Sequence, residues 1–412
     1  MTTLTGAGWI VAPETKAVIA ALDAVRPGAS RFVGGCVRNT LIGQPVDDID
    51  IATQLLPETV VAAAKKAGLA AVPTGIEHGT ITVVSNHKPY EVTTLRRDVT
   101  TDGRRATVAF TEDWNEDAQR RDFRLNALYA DADGVVHDLT GGGIEDAKAG
   151  RIIFIGDADT RIREDYLRIL RFFRFSAWYG PGPLDARGLA ACAALQEGMG
   201  QLSAERVWKE LKKLFAAPQP APALKAMANT GILERVAPEA VNVTRALRVA
   251  AIDDEYLLPA DGLLRIAALL TDEDSARALC RRMKASNDER ARLVAAAGRE
   301  PRVVSYMSMR ELRRALYALG RQTFDDRARL AWAQDHRART GPQWRSLLAL
   351  SLGWKRPHLP LTGEEVAAAG VPPGPKIGAV MREVEDWWID ADFPDDKLSI
   401  VERLKAVAQG LA

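Results

Sequence analysis

The first 155 residues carry two hydrophobic periodicities in alternation, and the rest of the chain carries one. Residues 12–28 predict a short helix ending near Pro27-Gly28, and Arg31–Val33 a strand that feeds a glycine turn. A helix from about Val37 to Ile42 and a strand from about Asp47 to Ala52 follow. Pro57 opens a helix to Ala67, closed by Gly68. Thr80–Val84 and Pro89–Arg96 alternate as two strands around the polar turn 85–88. Residues 97–113 are mixed in charge without strong periodicity and predict a mobile loop with some strand. Val135–Leu139 is another short strand, followed by Gly141-Gly142-Gly143. Beyond Gly156 strands nearly vanish. Helices rich in Ala, Leu and Arg continue, broken by Pro/Gly at 180–183, 218–222, 341–342 and 370–375. No fixed-period repeat stands out.

Composition narrows the partners. The chain has 412 residues and a formal net charge of +1, so any nucleic-acid partner must be held by local basic patches. The region from Arg277 to Arg345 is rich in arginine, while Glu364 to Asp396 is acidic, which makes the basic half the candidate phosphate-backbone surface. Ordinary solvated helix faces would explain the same arginines. Three scattered cysteines (Cys36, Cys192, Cys280) predict reduced thiols, and no Cys/His cluster has zinc-like spacing. No stretch approaches about 18 uninterrupted apolar residues and no leader pattern is visible, so the expectation is a soluble, cytoplasmic protein with no membrane partner.

The densest chemistry lies in Gly34-Gly35-Cys-Val-Arg38 followed by Asp48-Ile-Asp50. On a strand, Asp48 and Asp50 would share one face while Ile49 and Ile51 turn into a core. Two close carboxylates repel unless a cation lies between them, and Mg²⁺ favours sites shared between carboxylates and substrate phosphates. The glycines let backbone N–H groups approach a phosphate, and Arg38 adds a charged fork. Glu91 would join the acids if its strand neighbours theirs. Three carboxylates around two metals suit in-line phosphoryl transfer, one metal activating the attacking hydroxyl and the other holding the triphosphate. Asp-x-Asp alone also fits an ordinary acidic turn.

Two further constellations follow. In Arg120-Arg-Asp-Phe-Arg-Leu-Asn-Ala127, a helical reading stacks Asp122 on Asn126 and turns Arg121 to a neighbouring face. Arg121 could then meet a triphosphate, and Asp122 or Asn126 a ribose hydroxyl. Along 161–175, Ile162, Tyr166, Ile169/Leu170 and Phe173 repeat at helical spacing, which places Asp165 and Arg168 on one face. A carboxylate beside a guanidinium can read cytosine or adenine and leaves uracil or guanine mispaired. Structural ion pairs would explain that spacing too. In Ser203-Ala-Glu-Arg-Val-Trp-Lys-Glu-Leu211, helix capping by Ser203 suffices, with Arg206 facing outward and a weaker role in ordering the base-reading helix.

Taken in order, Gly34-Gly-Cys-Val-Arg38, Asp48-Ile-Asp50, Glu91, Arg120-Arg-Asp-Phe123 with Asn126, and Glu164-Asp165-x-x-Arg168 with Arg171 and Arg174 resemble the motifs of class II CCA-adding tRNA nucleotidyltransferases. Bacterial poly(A) polymerases share this family, and the resemblance covers roughly residues 30–215. It implies an α+β polymerase-β-like nucleotidyltransferase head with a mixed sheet (1–155), a helical neck reading the base (156–225), and an all-α body and tail binding tRNA (226–412). It implies addition of CCA from CTP and ATP, with release of pyrophosphate and Mg²⁺ as cofactor. Asp48 and Asp50 would be metal ligands and Glu91 the supporting acid. Gly34, Gly35, Arg38, Arg121, Asp122 and Asn126 would hold the nucleotide. Asp165 and Arg168 would act as the protein template, helped by Arg171 and Arg174. Asp98–Glu112 would be the flexible loop needed for the switch to A.

Asn39 stands where the family usually has Asp, and Arg124 where it usually has Thr. The alternatives carried forward are a poly(A) polymerase, which needs no CTP, and a catalytically idle RNA-binding protein. A dinucleotide-binding oxidoreductase would want Gly-x-Gly-x-x-Gly, which the Gly34-Gly35 turn lacks. No histidine pattern suggests a phosphohydrolase appendage.

Overall fold

The computed structural model describes residues 2–75, 79–102, 105–337 and 339–410, and the chain divides into two compact units. The first comprises residues 1–240 with 260–262 and 282–285; the second comprises 241–259, 263–281 and 286–412.

The first unit is built on a mixed sheet of seven strands, β1 (Ser30–Val33), β2 (Asp50–Thr53), β3 (Ala70–Gly75), β4 (Thr80–Ser85), β5 (Lys88–Thr94), β8 (Leu128–Ala130) and β9 (Val136–Asp138). Their order across the sheet is β3-β4-β5-β2-β1-β8-β9. β2 and β5 run parallel, whereas the other neighbours are antiparallel. Two remaining strands, β6 (Arg96–Asp102) and β7 (Arg105–Phe110), pair as a separate antiparallel ribbon where a loop with some strand was expected. Residues 103–104 of the expected flexible loop lie outside the described residues.

Local chemistry explains the framework. Ile81 and Val92 alternate with polar neighbours and are fully buried, as a half-buried pleat requires, while β1 and β2 are buried along most of their length, including Phe32 and Ile51. The helices Pro13–Asp23 and Pro57–Lys66 each open on a proline, where the missing N–H is harmless. The second places Glu58 in its first turn and Lys65-Lys66 in its last, in line with the helix dipole. Its buried Val60, Ala63 and Ala64 form the inner stripe. From residue 156 onward the described residues hold no strand.

The expected long helix over 161–175 is two helices. Ala158–Glu164 stops at Asp165, which is extended (φ −155°, ψ 104°), and a new helix runs over Leu167–Tyr179. Asp165 Oδ1 accepts the Leu167 N–H at 3.1 Å, so the carboxylate satisfies a donor that the broken helix leaves free. The apolar stripe survives, with Ile162, Ile169, Leu170 and Phe173 fully buried. Phe172 and Phe175 also pack with Phe123 and Phe154, at 5.3–6.4 Å between ring centres.

The second unit consists of helices and connecting loops, with no strand among its described residues. Its longest element, Met309–Gln334, bends where Gly320 takes a positive φ of 71°. Capping boxes at Ser286/Glu289, Ser308/Glu311 and Thr362/Glu365 start three of its helices. Val366, Val380, Val384, Trp388, Ile400 and Leu404 form a buried cluster. No helix among the described residues is long and apolar enough to cross a membrane.

Candidate active site

At the end of β1 the chain must turn sharply into the helix Gly35–Leu41. Gly34 does this at φ 72°, ψ −117°, a conformation closed to residues with a side chain. A Cβ here would also lie 3.6 Å from the Asn126 carbonyl oxygen. One turn along that helix stands Arg38, buried to 6% exposure. Its guanidinium donates to Asn126 Oδ1, to Asn39 Oδ1 (2.8 Å from Nη2) and to the Tyr179 hydroxyl (2.8 Å). It also lies 4.1 Å from the centre of the Tyr179 ring. Asn39 in turn donates to the Pro45 carbonyl at 2.7 Å, so it positions Arg38 without a charge of its own.

The acids lie beside this turn. Contrary to the expected strand pair, β2 begins at Asp50, and Asp48 sits in the irregular segment before it, exposed. Ile49 and Ile51 are buried, as expected of the core side. Glu91 on β5 is the parallel register partner of Asp50. Burial, together with the fields of Glu91 and Asp48, raises the Asp50 carboxyl from 3.8 to about 6 against the pull of Arg121. A carboxyl raised in this way is short of cationic compensation. Among the described residues no group of three or more His, Cys, Asp or Glu forms a ready metal cage. The donor set instead fits a divalent ion that draws the rest of its shell from substrate oxygens and water.

The segment 120–127 is not an α-helix. It is a bend, an isolated bridge between Phe123 and Phe154, and a 3₁₀ turn over Arg124–Asn126. Asp122 and Asn126 nevertheless meet, with Asn126 Nδ2 donating to Asp122 Oδ1 at 3.1 Å. Arg171 Nε donates to Asp122 Oδ2 at 2.7 Å. Burial opposes the charge on Asp122, but Arg171 and Asn126 hold its carboxyl below the ordinary value. Arg121 donates through Nε to the Tyr129 hydroxyl (3.1 Å) and through Nη2 to Asp117 (3.0 Å). Its Nη1 is left facing Gly34, 3.9 Å from where a Cβ would stand.

The base-reading pair is also rearranged. Arg168 does not lie against Asp165. It donates to Glu164 Oε2 (2.6 Å) and to the carbonyls of Arg161 (2.9 Å) and Arg120 (2.8 Å). Asp165 instead accepts from Arg206 Nη2 at 2.6 Å. The break at Asp165 explains this, because it ends the helical spacing that would have stacked the pair. Ser203, the expected cap, makes no side-chain cap bond, whereas Arg206 reaches across to the Asp165 carboxylate. Arg174 donates to buried Glu210 at 2.6 Å and stacks 4.2 Å from the Phe175 ring centre. Arg124 pairs with buried Asp146 at 2.7 Å.

A single cavity of about 680 Å³ within the first unit joins these groups. Gly34, Gly35, Arg38, Asp48, Asp50, Arg121, Asp122, Asn126, Asp165, Arg168, Arg171 and Arg174 all line it; Glu91 does not. Eight arginines and Lys213 face five aspartates there, an excess of cations suited to a polyphosphate. Missing from the sequence reading were Asp117, Tyr129, Tyr179 and Glu210, and Arg206 was undervalued. Only Asp117 left a trace, at i,i+3 and i,i+4 from Arg120 and Arg121.

Comparison with known proteins agrees with this geometry. Residues 30–153 match the poly A polymerase head domain, and residues 184–243 a probable RNA and SrmB-binding site of polymerase A. The mitochondrial CCA tRNA nucleotidyltransferase 1 of Mus musculus is 32% identical over 384 residues, 91% of this chain and 86% of that protein. The chain belongs to the CCA-adding tRNA nucleotidyltransferase family. A second relative, the CCA-adding enzyme of Levilactobacillus brevis, is 30% identical over 90% of this chain and 92% of its own length. The crystal structure of the Bacillus stearothermophilus CCA-adding enzyme in complex with CTP is similar at a TM-score of 0.78, with 28% identity, 96% of this chain and 98% of that one covered. The nucleotidyltransferase head on a mixed sheet, followed by helices, is the architecture of this family.

Proposed function

We propose that this chain adds C, C and A to the 3′ end of tRNA, using CTP and ATP and releasing pyrophosphate. The observation that carries the reading is the single cavity joining Asp48 and Asp50 to Asp165, Arg168 and Arg206. Carboxylates for phosphoryl transfer and groups able to read a base share one nucleotide-sized space.

The terminal 3′-hydroxyl attacks the α-phosphorus, and pyrophosphate departs. Arg121 Nη1 and the Gly34-Gly35 turn receive the triphosphate, while Arg38, held by Tyr179 and Asn39, supplies charge to the same region. Asp122 and Asn126 form the hydrogen-bonded unit available to the ribose. Asp50 and Asp48 would hold Mg²⁺, whose charge would stabilise the developing negative charge of the transition state. Glu91, in register with Asp50 but outside the cavity lining, keeps the acidic field in place.

For base choice, Asp165 accepts the exocyclic amine of cytosine or adenine, and Arg206 or Arg168 donates to the ring acceptor. Arg206 already donates to Asp165, so it orients the carboxylate before a base arrives. Arg171 and Arg174, tied to Asp122 and Glu210, lie along the path between phosphate and base. The division into head (1–155), neck (156–225), and body and tail (226–412) is part of this reading, with the last region holding tRNA. So are the β6–β7 ribbon as the element serving the switch to A and a cytoplasmic location, the latter consistent with three buried free cysteines.

The test offers tRNA lacking its last three nucleotides with CTP alone, ATP alone, and both. Two cytidines from CTP alone and a terminal A only with both are expected. A ladder from ATP alone would replace the reading with poly(A) synthesis.

A further inference from the structure

The second unit contains a cavity of about 730 Å³ that the reaction leaves unused, within the roughly 300–1,000 Å³ usual for ligand sites. Five arginines line it (Arg245, Arg299, Arg302, Arg327 and Arg337) against the two acids Glu300 and Asp335. Asp335 is committed to Arg337, whose Nε and Nη2 reach its two oxygens at 2.9 and 3.0 Å. The other cations are poorly compensated. Arg245 donates to backbone carbonyls, among them Ala268 at 2.6 Å and Ala267 at 3.1 Å, and burial lowers its pKa with no carboxylate to offset it. Arg327 likewise donates to the carbonyls of Ala295 (2.8 Å) and Glu300 (2.6 Å), and burial outweighs the fields of Glu273 and Glu300. Arg299 and Arg302 are exposed and form no ion pair among the described residues.

An aromatic stands at the same place. Tyr306 is 67% exposed, and the Arg337 guanidinium lies 4.9 Å from its ring centre. A cation-backed tyrosine left open to solvent is a stacking platform. Five guanidiniums against two carboxylates call for an anion, and the platform calls for a flat ring attached to it. A small inorganic anion would leave the ring unused, and an acidic peptide would offer it nothing to stack.

We infer that this cavity takes one unpaired nucleotide of the RNA substrate, with its phosphate among Arg299, Arg302 and Arg327 and its base on Tyr306. The inference rests on the proposed tRNA substrate. Unstacked loop nucleotides present the base and backbone in this way, and paired ones do not. Arg245 and Arg327 hold helix-end carbonyls, so their positions are set before RNA arrives.

The test uses the full-length protein and labelled tRNA lacking its last three nucleotides, with Kd measured by anisotropy between 50 and 200 mM salt. Tyr306→Ala should weaken binding roughly 5- to 150-fold, the range for one lost stacked base, while Tyr306→Phe stays within about twofold. The Arg299→Gln/Arg302→Gln double variant should flatten the slope of log Kd against log salt by about 1.4, or about 0.7 per contact to a single strand. Circular dichroism of each variant should match the wild type. Wild-type Kd and salt slope in both Tyr306→Ala and the double variant, with CMP addition intact, would overturn this inference and leave the enzymatic reading standing. Equal loss in Tyr306→Phe would also overturn it, since the ring would not be what matters. Binding of radiolabelled CMP that depends on Tyr306 in the absence of RNA would assign the cavity to a free nucleotide instead. Failure of the wild type to bind or extend this tRNA would remove the enzymatic reading first.

Discussion

Replacing Asp117 by asparagine tests how Arg121, proposed to face the triphosphate, is held. Asp117 is 1% exposed and lies on the helix Trp114–Gln119. Its Oδ1 accepts Arg120 Nε at 2.9 Å and Nη2 at 2.7 Å. Its Oδ2 accepts Arg121 Nη2 at 3.0 Å and the Tyr129 hydroxyl at 2.7 Å. Asparagine keeps the volume, removes the charge, and turns one acceptor into a donor facing a guanidinium. Breaking a buried pair from one side costs about 3–5 kcal/mol. The arginines remain 17% and 21% exposed, so the lower end of that range, about 3 kcal/mol, applies here.

Urea unfolding read by hydrogen exchange at β1 and β8 isolates the first unit. The pH dependence has a definite sign. Burial alone would raise the Asp117 carboxyl, but Arg121, Arg120 and Tyr129 hold it well below its unfolded value of 3.8. Its contribution is therefore complete above about pH 4 and is lost as pH falls further toward the folded value. The difference between wild type and Asp117→Asn should be flat from pH 5 to 8 and close below about 4. Arg121, released from its carboxylate partner, should also lose its aim at the Gly34 turn. One charge-assisted bond is worth about 1.5–3 kcal/mol, so KM for both CTP and ATP should rise roughly 10- to 150-fold. A stability change under about 0.5 kcal/mol with KM within twofold would refute the reasoning.

Other expectations concern the acids and the thiol. Asp50→Asn should abolish CMP transfer while CTP binding persists; normal turnover would defeat the metal assignment. In metal-free protein, the Asp50 carboxyl raised from 3.8 to about 6 makes stability fall as pH rises through that window, by up to about 3 kcal/mol. Adding Mg²⁺ should remove the decline, and an identical decline in Asp50→Asn would assign it to another group. Asp165→Ala should relax CTP and ATP preference over UTP more than it slows transfer, and Arg206→Ala should do the same with little loss of stability, since that pair is partly exposed. Unchanged selectivity in both would count against the template role. Cys36 is buried, and burial with the nearby Asp50 pushes its thiol up to about 12, so it should resist alkylation at pH 8 in native protein and react after unfolding. Rapid native labelling would contradict this.

Motif order and local pattern were readable from residues alone because they are local properties. The Gly34-Gly35 turn needed only the conformational freedom of glycine, and the Ile49/Ile51 core side needed only the two-residue period of an extended chain. Glu91 was recognisable as a candidate, but its place beside Asp50 depended on β2 and β5 pairing in parallel, a non-local event. The helical spacing drawn for 120–127 and for Asp165/Arg168 failed where tertiary contacts competed with propensity. The Phe123–Phe154 bridge displaced helix in the first, and the break at Asp165 released Arg168 to Glu164 and two carbonyls in the second.

The amino-acid sequence by itself determined the two periodicities, the glycine turn, the acids and the supply of arginines, since each follows from neighbours a few residues apart. Only the tertiary structure decided the distant partners. Asp117 joins Tyr129, Arg38 joins Tyr179, Asp165 joins Arg206 and Arg174 joins Glu210, across separations of 12, 141, 41 and 36 residues. Beyond a helical turn, polar groups meet only where folding brings them together, and spacing along the chain carries no information about such a meeting.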